Sequence, residues 1–206
     1  MEDRLQKEAE YYNDILQFDF NDHYFNLTLK SIAMLRWTAV HCSQAKFIFK
    51  LDNDCYIRVN PFLKQMTAFS GDTIYGIYRI NEPVMRTGKW AIDEWYYPHS
   101  TYPPYHAGPY LIPGPAALKL YEAILSEPTQ DTIPALPIDD AYITGILPEK
   151  INYPRASFTG LRELHDRSYF QKNDRENVKY LSTLTVYFET LGDVDLRRIW
   201  RQFGVD

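Results

Sequence analysis

Hydrophobic and polar positions alternate along the chain in blocks that predict its elements. Asp14 to Phe20 is a short apolar run with acidic residues at its ends and predicts a buried strand. From Asn26 to Cys42 the positions Leu29, Ile32, Ala33, Trp37 and Val40 fall on a helical stripe, with Asp22 or Asn26 available to cap its start. Lys46 to Leu51 is a second strand pattern and runs directly into Asp52-Asn53-Asp54. Strand, helix and strand in that order predict a βαβ unit with parallel pairing. Pro61 suits the first turn of a further helix. Thr73 to Arg79 reads as a third strand, and residues 81–109 read as irregular and rich in Pro, Gly, Trp and Tyr. A long irregular stretch of this kind is usually a functional loop. A short strand at Tyr110 to Ile112, a helix from Pro115 to Leu125 and a proline-punctuated loop over Pro128 to Pro137 follow. Asp139 then stands where it would cap a helix reaching Leu147. Asp195 to Phe203 has the pattern of a closing amphipathic helix with a basic face. No internal repeat or low-complexity tract interrupts the pattern.

Composition narrows the class. With 206 residues, 45% hydrophobic and 24% charged, the chain suits one globular domain over residues 1–206. A net charge of −5 and the lack of a Lys/Arg run argue against nucleic acid as a partner. No stretch approaches the roughly 18 apolar residues of a membrane span, and the charged opening, Met1 to Glu10, reads as the interior of a longer protein. The 17 tyrosines supply rings that stack and also hydrogen-bond. Cys42 and Cys55 allow one disulfide without requiring it. Asn26-Leu27-Thr28 is a glycosylation sequon that carries little weight alone.

Two acidic motifs and one aromatic loop carry candidate chemistry. Asp52 and Asp54, one residue apart after an apolar strand, can approach a hard divalent ion that also holds a substrate diphosphate; Asp-Asn-Asp is equally good turn chemistry. Asp139-Asp140 lies at a loop-to-helix junction, where one carboxylate can cap and the other serve as a general base. The loop from Lys89-Trp90 through Tyr102-Pro103-Pro104-Tyr105 to Gly108 offers rings and a rigid wall for a sugar, or packs on the core.

Taken in order, these features resemble the β-1,3-galactosyltransferase and β-1,3-N-acetylglucosaminyltransferase family. The resemblance runs from about Glu8 to Gly145, with residues 151–206 as a C-terminal extension of the same domain. Glu10 to Phe20, Asn21-Asp22-His23-Tyr24 and Asn26-Leu27-Thr28-Leu29-Lys30 are similar to the family's acidic stretch. Trp37, Cys42, Ala45, Phe47 and Lys50 fall on its approach to the metal motif. Pro83, Arg86, Lys89, Trp90 and Tyr102 to Tyr105 match its acceptor-side loop, and Asp139-Asp140 with Gly145 matches its acidic motif.

The resemblance implies a type-A glycosyltransferase fold, an α/β sandwich with a mixed, mostly parallel sheet flanked by helices, from which the first nucleotide-binding strand and helix are missing. It implies Mn²⁺ as cofactor and an inverting transfer of galactose or N-acetylglucosamine from a UDP-sugar to a glycan on protein or lipid, forming a β-1,3 linkage. It further implies a type II membrane protein of the Golgi lumen. On this reading Asp140 is the catalytic base, and Asp52, Asp54 and His165 form the metal shell. Lys50, Asp52, Asn53 and Asp54 bind donor, while Lys89, Trp90, Tyr102, Tyr105, Gly108 and Asp139 bind acceptor.

Departures are visible too. Asn53 stands in the middle of the metal motif, and Asp139 precedes Asp140 where the family has Glu. The segment after Tyr105 is one residue short, and a late family cysteine is replaced near Leu147, which leaves Cys42 without its family partner. Two other readings compete. An inactive homologue would only bind glycans or a protein partner. A phosphohydrolase of the haloacid dehalogenase type would use Asp52 as nucleophile and Asp54 as acid/base.

Overall fold

A computed structural model describes residues 2–126, 136–163 and 185–187. His165 and the expected helix at 195–203 lie outside these residues, as does most of the proline-punctuated loop. The chain opens with helix α1 (Glu2–Tyr12), which buries none of its residues. Helix α2 (Leu27–His41) follows, then strand β1 (Phe47–Lys50), strand β2 (Cys55–Tyr56) and helix α3 (Val59–Met66). Strand β3 (Ile74–Arg79) and the long strand β4 (Tyr105–Pro113) flank the irregular loop, and helix α4 (Gly114–Leu125) leaves β4 directly. Helix α5 (Asp139–Ala141), a π turn over Tyr142–Ile146 and helix α6 (Leu147–Lys150) form one continuous helical segment. Strands β5 (Arg155–Ser157), β6 (Leu161–Glu163) and β7 (Thr185–Tyr187) complete the described residues.

The main sheet has the order β1-β4-β3-β5. Strand β4 runs antiparallel to β1 and to β3, and only β5 pairs parallel, with β3. A smaller sheet has the order β2-β7-β6, antiparallel then parallel. The architecture is therefore a mixed sheet flanked by helices, but the expected parallel majority is absent among the described strands.

The period-2 alternation of side chains builds a core on each face of the main sheet. Ile48, Ile74, Tyr110 and Ile112 point to one face and pack with Leu35 of α2 and Ala116, Ala117 and Leu120 of α4. Phe47, Phe49, Tyr75, Ile77 and Leu111 point to the other and pack with Phe62 of α3, Phe158 and Leu161. A strand buried on both faces must be apolar almost throughout, and from Gly108 onward β4 is.

Four expectations are corrected by the structure. Residues 13–20 form no strand and most of them are exposed, Leu16 among them, so the βαβ unit has no first strand. An apolar run becomes a strand only with a partner for its backbone groups, and no described segment pairs with this one. In α2 the face turned inward is Thr28, Ser31, Leu35 and Thr38; of the expected stripe, Ile32 packs half-buried against the core, whereas Leu29 and Val40 are exposed. The buried polar groups are satisfied: Thr28 Oγ1 donates to Leu136 O at 2.6 Å and Ser31 Oγ to Asp139 Oδ2 at 3.0 Å. Asn26 holds the cap position of α2 without a side-chain capping bond, and Asp22 pairs with Lys30 instead. Finally, the expected three-residue strand at Tyr110 to Ile112 lies in the C-terminal half of nine-residue β4.

Candidate active site

Strand β1 delivers Lys50 to the centre of the site. Its ammonium lies 2.9 Å from Asp52 Oδ1, 3.4 Å from Asp139 Oδ2 and 3.8 Å from Asp140 Oδ1. Both sequence motifs therefore meet at one cation, although almost ninety residues separate them. The ring of Tyr110, paired with Lys50 across the β1–β4 ladder, lies with its centroid 5.5 Å from the same ammonium. Burial by itself pushes the Lys50 ammonium downward, but Asp140 and then Asp139, Tyr110 and Asp52 outweigh it and hold it above its ordinary value.

The two acids of the second motif have separate environments. Ile138, not Asp139, is the cap residue of α5, and Asp139 is the first helical residue with no side-chain capping bond. This corrects the assignment of Asp139 as a cap. Its carboxylate is instead taken up by Ser31 at 3.0 Å and by Lys50.

Asp140 accepts a hydrogen bond from the backbone N–H of Gly108 at its Oδ2, at 2.7 Å. Its Oδ1 is buried and makes no hydrogen bond. Burial first, then the negative charge of Asp139, raise the Asp140 carboxyl well above the usual range, against the opposing pull of Lys50 and the Gly108 N–H.

A bulge in β4 aims that N–H. The β3–β4 register steps from Gly76↔Tyr110 to Ile77↔Ala107, leaving Gly108 and Pro109 outside the ladder. Gly108 takes a φ of +69°, in the left-handed region. A bulge frees a backbone group from pairing and turns it toward a side chain.

After β1, exposed Asn53 and half-buried Asp54 form a turn closed by Cys55 N–H to Asp52 O at 3.2 Å. Burial and the neighbouring Asp52 raise the Asp54 carboxyl, and the Cys55 thiol lies 3.8 Å from Asp54 Oδ1. Both Cys42 and Cys55 are free thiols. Among the described residues no group of three or more His, Cys, Asp or Glu side chains forms a metal shell. The carboxylates of Asp52 and Asp54 are two oxygen donors, chemistry that would suit a hard ion completed by phosphate oxygens and water.

The aromatic loop separates into two parts. Tyr102 is 7% exposed, stacks on Tyr97 with centroids 5.5 Å apart and belongs to the core, so it presents no face to a ligand. That removes Tyr102 from the expected acceptor wall. Tyr105 is partly buried beside it, and burial first, then the charges of Glu82 and Asp140, push its hydroxyl upward. Trp90 is 44% exposed and donates its indole N–H to Tyr24 Oη at 2.8 Å. Lys89 Nζ lies 4.7 Å from the Tyr24 ring and 5.1 Å from the Trp90 ring. Tyr24 opens a short 3-10 turn (Tyr24–Asn26) that leads directly into α2, the helix that carries Ser31.

Local pattern did not predict Ser31 as the partner of Asp139 or Tyr24 as the partner of Trp90. Ser31 carried a signal, because a serine one turn from Thr28 and one from Leu35 marks a polar inward stripe. Tyr24 finds Trp90 only through tertiary packing.

Comparison with known proteins gives the same lineage. Residues 1–159 match the family model described as Galactosyltransferase. The mouse N-acetyllactosaminide β-1,3-N-acetylglucosaminyltransferase 2 is 29% identical over 195 residues, covering 91% of this chain and 46% of that protein. The rat UDP-GlcNAc:βGal β-1,3-N-acetylglucosaminyltransferase 7 is 36% identical over 150 residues, 69% of this chain and 34% of that one. The human β-1,3-galactosyltransferase 5 is 30% identical over 171 residues, 81% of this chain and 51% of the relative. The chain thus spans about half, or less, of the length of these relatives. A match over most of the chain, joined to an acid pair and a second acidic motif gathered at Lys50, establishes that this chain belongs to the galactosyltransferase family.

Proposed function

We propose that the protein is an inverting hexosyltransferase that moves galactose or N-acetylglucosamine from a UDP-sugar to a glycan acceptor, forming a β-1,3 linkage. The observation that carries the reading is the asymmetry of Asp140. One carboxylate oxygen is fixed by the Gly108 N–H and the other is left without a hydrogen bond beside Lys50. A carboxylate so held can take the proton of an acceptor hydroxyl as that oxygen attacks the anomeric carbon. The raised Asp140 carboxyl supports this role, because a base works best when its affinity for protons approaches the working pH.

Lys50 and the Asp52–Asp54 turn would bind the donor's diphosphate. Asp52 and Asp54 would hold Mn²⁺ together with it, and the bound ion would neutralise charge on the leaving diphosphate. Asp52 already pairs with Lys50, so diphosphate and Lys50 can share that carboxylate's neighbourhood once donor enters. Trp90, Lys89 and Tyr24 would carry the acceptor, with the sugar lying on an exposed ring face. A Golgi-lumenal, membrane-anchored protein is part of this proposal on the family resemblance alone; no helix among the described residues is long and apolar enough to cross a membrane.

The test is a screen of UDP-sugars with and without Mn²⁺, reading UDP release in the presence of candidate glycans. Acceptor-stimulated release from one donor, lost when Asp140 is replaced by Asn, is the expected result. A protein that binds glycan and donor but releases no UDP is a binding module, and the proposal fails.

A further inference from the structure

The π turn that follows Asp140 is occupied by one fully buried polar residue, Thr144. Its hydroxyl lies 2.6 Å from Asp140 O, to which it donates. It accepts the backbone N–H of His106 at 2.8 Å. One hydroxyl therefore ties the helix turn that carries Asp140 to strand β4, two residues before Gly108. The N–H of Gly108 in turn holds the Asp140 carboxylate. Backbone and side chain of Asp140 are thus both anchored to the same stretch of β4, one through Thr144 and the other directly.

The surroundings keep this joint tight. Gly145, the next residue, has no room for a side chain: a Cβ there would come within 2.9 Å of Tyr105 Cβ. Arg155 reinforces the same seam, donating to Pro104 O at 2.6 Å and to Gly145 O at 3.0 Å. The wide turn closes with the Leu147 N–H on Tyr142 O, directly before a proline. Pro148 lacks the N–H that a regular helix would return to the carbonyl of Thr144, and π turns recur at functional sites for the side-chain placement they allow.

Resting on the reading of Asp140 as the base, we propose that Thr144 is a positioning residue for the transfer reaction, setting Asp140 against the Gly108 N–H through the His106–Thr144–Asp140 link. Asp140 would touch the acceptor hydroxyl, whereas Thr144 touches only the protein and acts through Asp140.

The experiment compares Thr144→Val, Thr144→Ser, Asp140→Asn and the Thr144→Val/Asp140→Asn double variant in the full-length protein, by UDP release and by donor binding. Valine keeps the shape and removes both hydrogen bonds; serine keeps the hydroxyl. Thr144→Val should lower kcat by roughly 10- to 100-fold, the scale of a misplaced catalytic group, with donor KM little changed. Thr144→Ser should recover most of that loss. In the Asp140→Asn background the valine should cost nothing further, because the residue through which it acts is already gone. Full turnover in Thr144→Val, or a loss that serine does not recover, or one that persists undiminished in the double variant, overturns the proposal. Should Thr144→Val not fold, Thr144→Ala is measured in its place against the same outcomes. Near-normal turnover in Asp140→Asn sinks the base assignment and this proposal together. Loss in Asp140→Asn with full turnover in Thr144→Val sinks the proposal alone.

Discussion

The backbone N–H of Gly108 points out of strand β4 and donates to Oδ2 of Asp140 across 2.7 Å. This contact exists because the strand bulges at Gly108 and Pro109 and because Gly108 takes a left-handed φ of +69°. An L side chain in that conformation costs about 1–2 kcal/mol. Gly108→Ala should therefore lower unfolding stability by about that amount in urea titrations. It should also lower turnover disproportionately, because the strand can relieve the strain only by rotating the N–H away from Asp140. An alanine variant that loses stability yet keeps wild-type turnover would show that the Gly108 contact is not needed for the base.

The two aspartates of the acidic pair should fail differently. Asp140→Asn should lower turnover about 10²–10⁴-fold, the usual contribution of a positioned general base. Asp139→Asn is expected to act on the structure, since Asp139 is buried between Ser31 and Lys50. Weakening that charged contact should cost about 1–3 kcal/mol. Unfolding curves and turnover measured on both variants separate the two roles.

Asp140 also makes stability depend on pH with a defined sign. Burial and Asp139 raise its carboxyl above the ordinary value of 3.8, so over a window above that value the folded protein keeps a proton that the unfolded chain has released. The stability this group contributes is complete below the unfolded value and is lost as pH rises through the folded one. Asn does not titrate. The stability of Asp140→Asn relative to wild type should therefore increase from about pH 4 toward neutrality, read by urea unfolding at stepped pH. A pH-independent difference would contradict a raised Asp140.

The aromatic loop gives a further contrast. Tyr102 is a core residue and Trp90 an exposed one. Tyr102→Ala should destabilise the fold by about 3 kcal/mol. Trp90→Ala should stay within about 0.5 kcal/mol of wild type while raising acceptor KM with donor KM unchanged. If donor KM moves instead, the Trp90–Tyr24 platform does not face the acceptor.

Much of the chemistry was legible from local pattern, because it depends on neighbours in sequence. A strand ending in Lys50 and Asp52, and an acid pair opening a helix at Asp139, are short-range features. They could be read before any tertiary contact was known. The elements that local pattern misjudged depend on what lies across from them. Asp14 to Phe20 has the residues of a strand but no described strand beside it. The inward face of α2 is chosen by its polar partners Leu136 and Asp139, more than a hundred residues away, so Leu29 and Val40 turn outward. Tyr102 and Trp90 look alike in sequence as aromatic loop residues, and only packing against Tyr97 or against Tyr24 separates them. The sequence alone determined which groups could do the chemistry and that they followed a strand and opened a helix. Only the tertiary structure decided that Lys50 joins them, that a bulge in β4 presents Gly108 to Asp140, and that Thr144 ties the two together. Those relations are contacts between distant segments, fixed by sheet register and helix packing rather than by any residue's nearest neighbours in the chain.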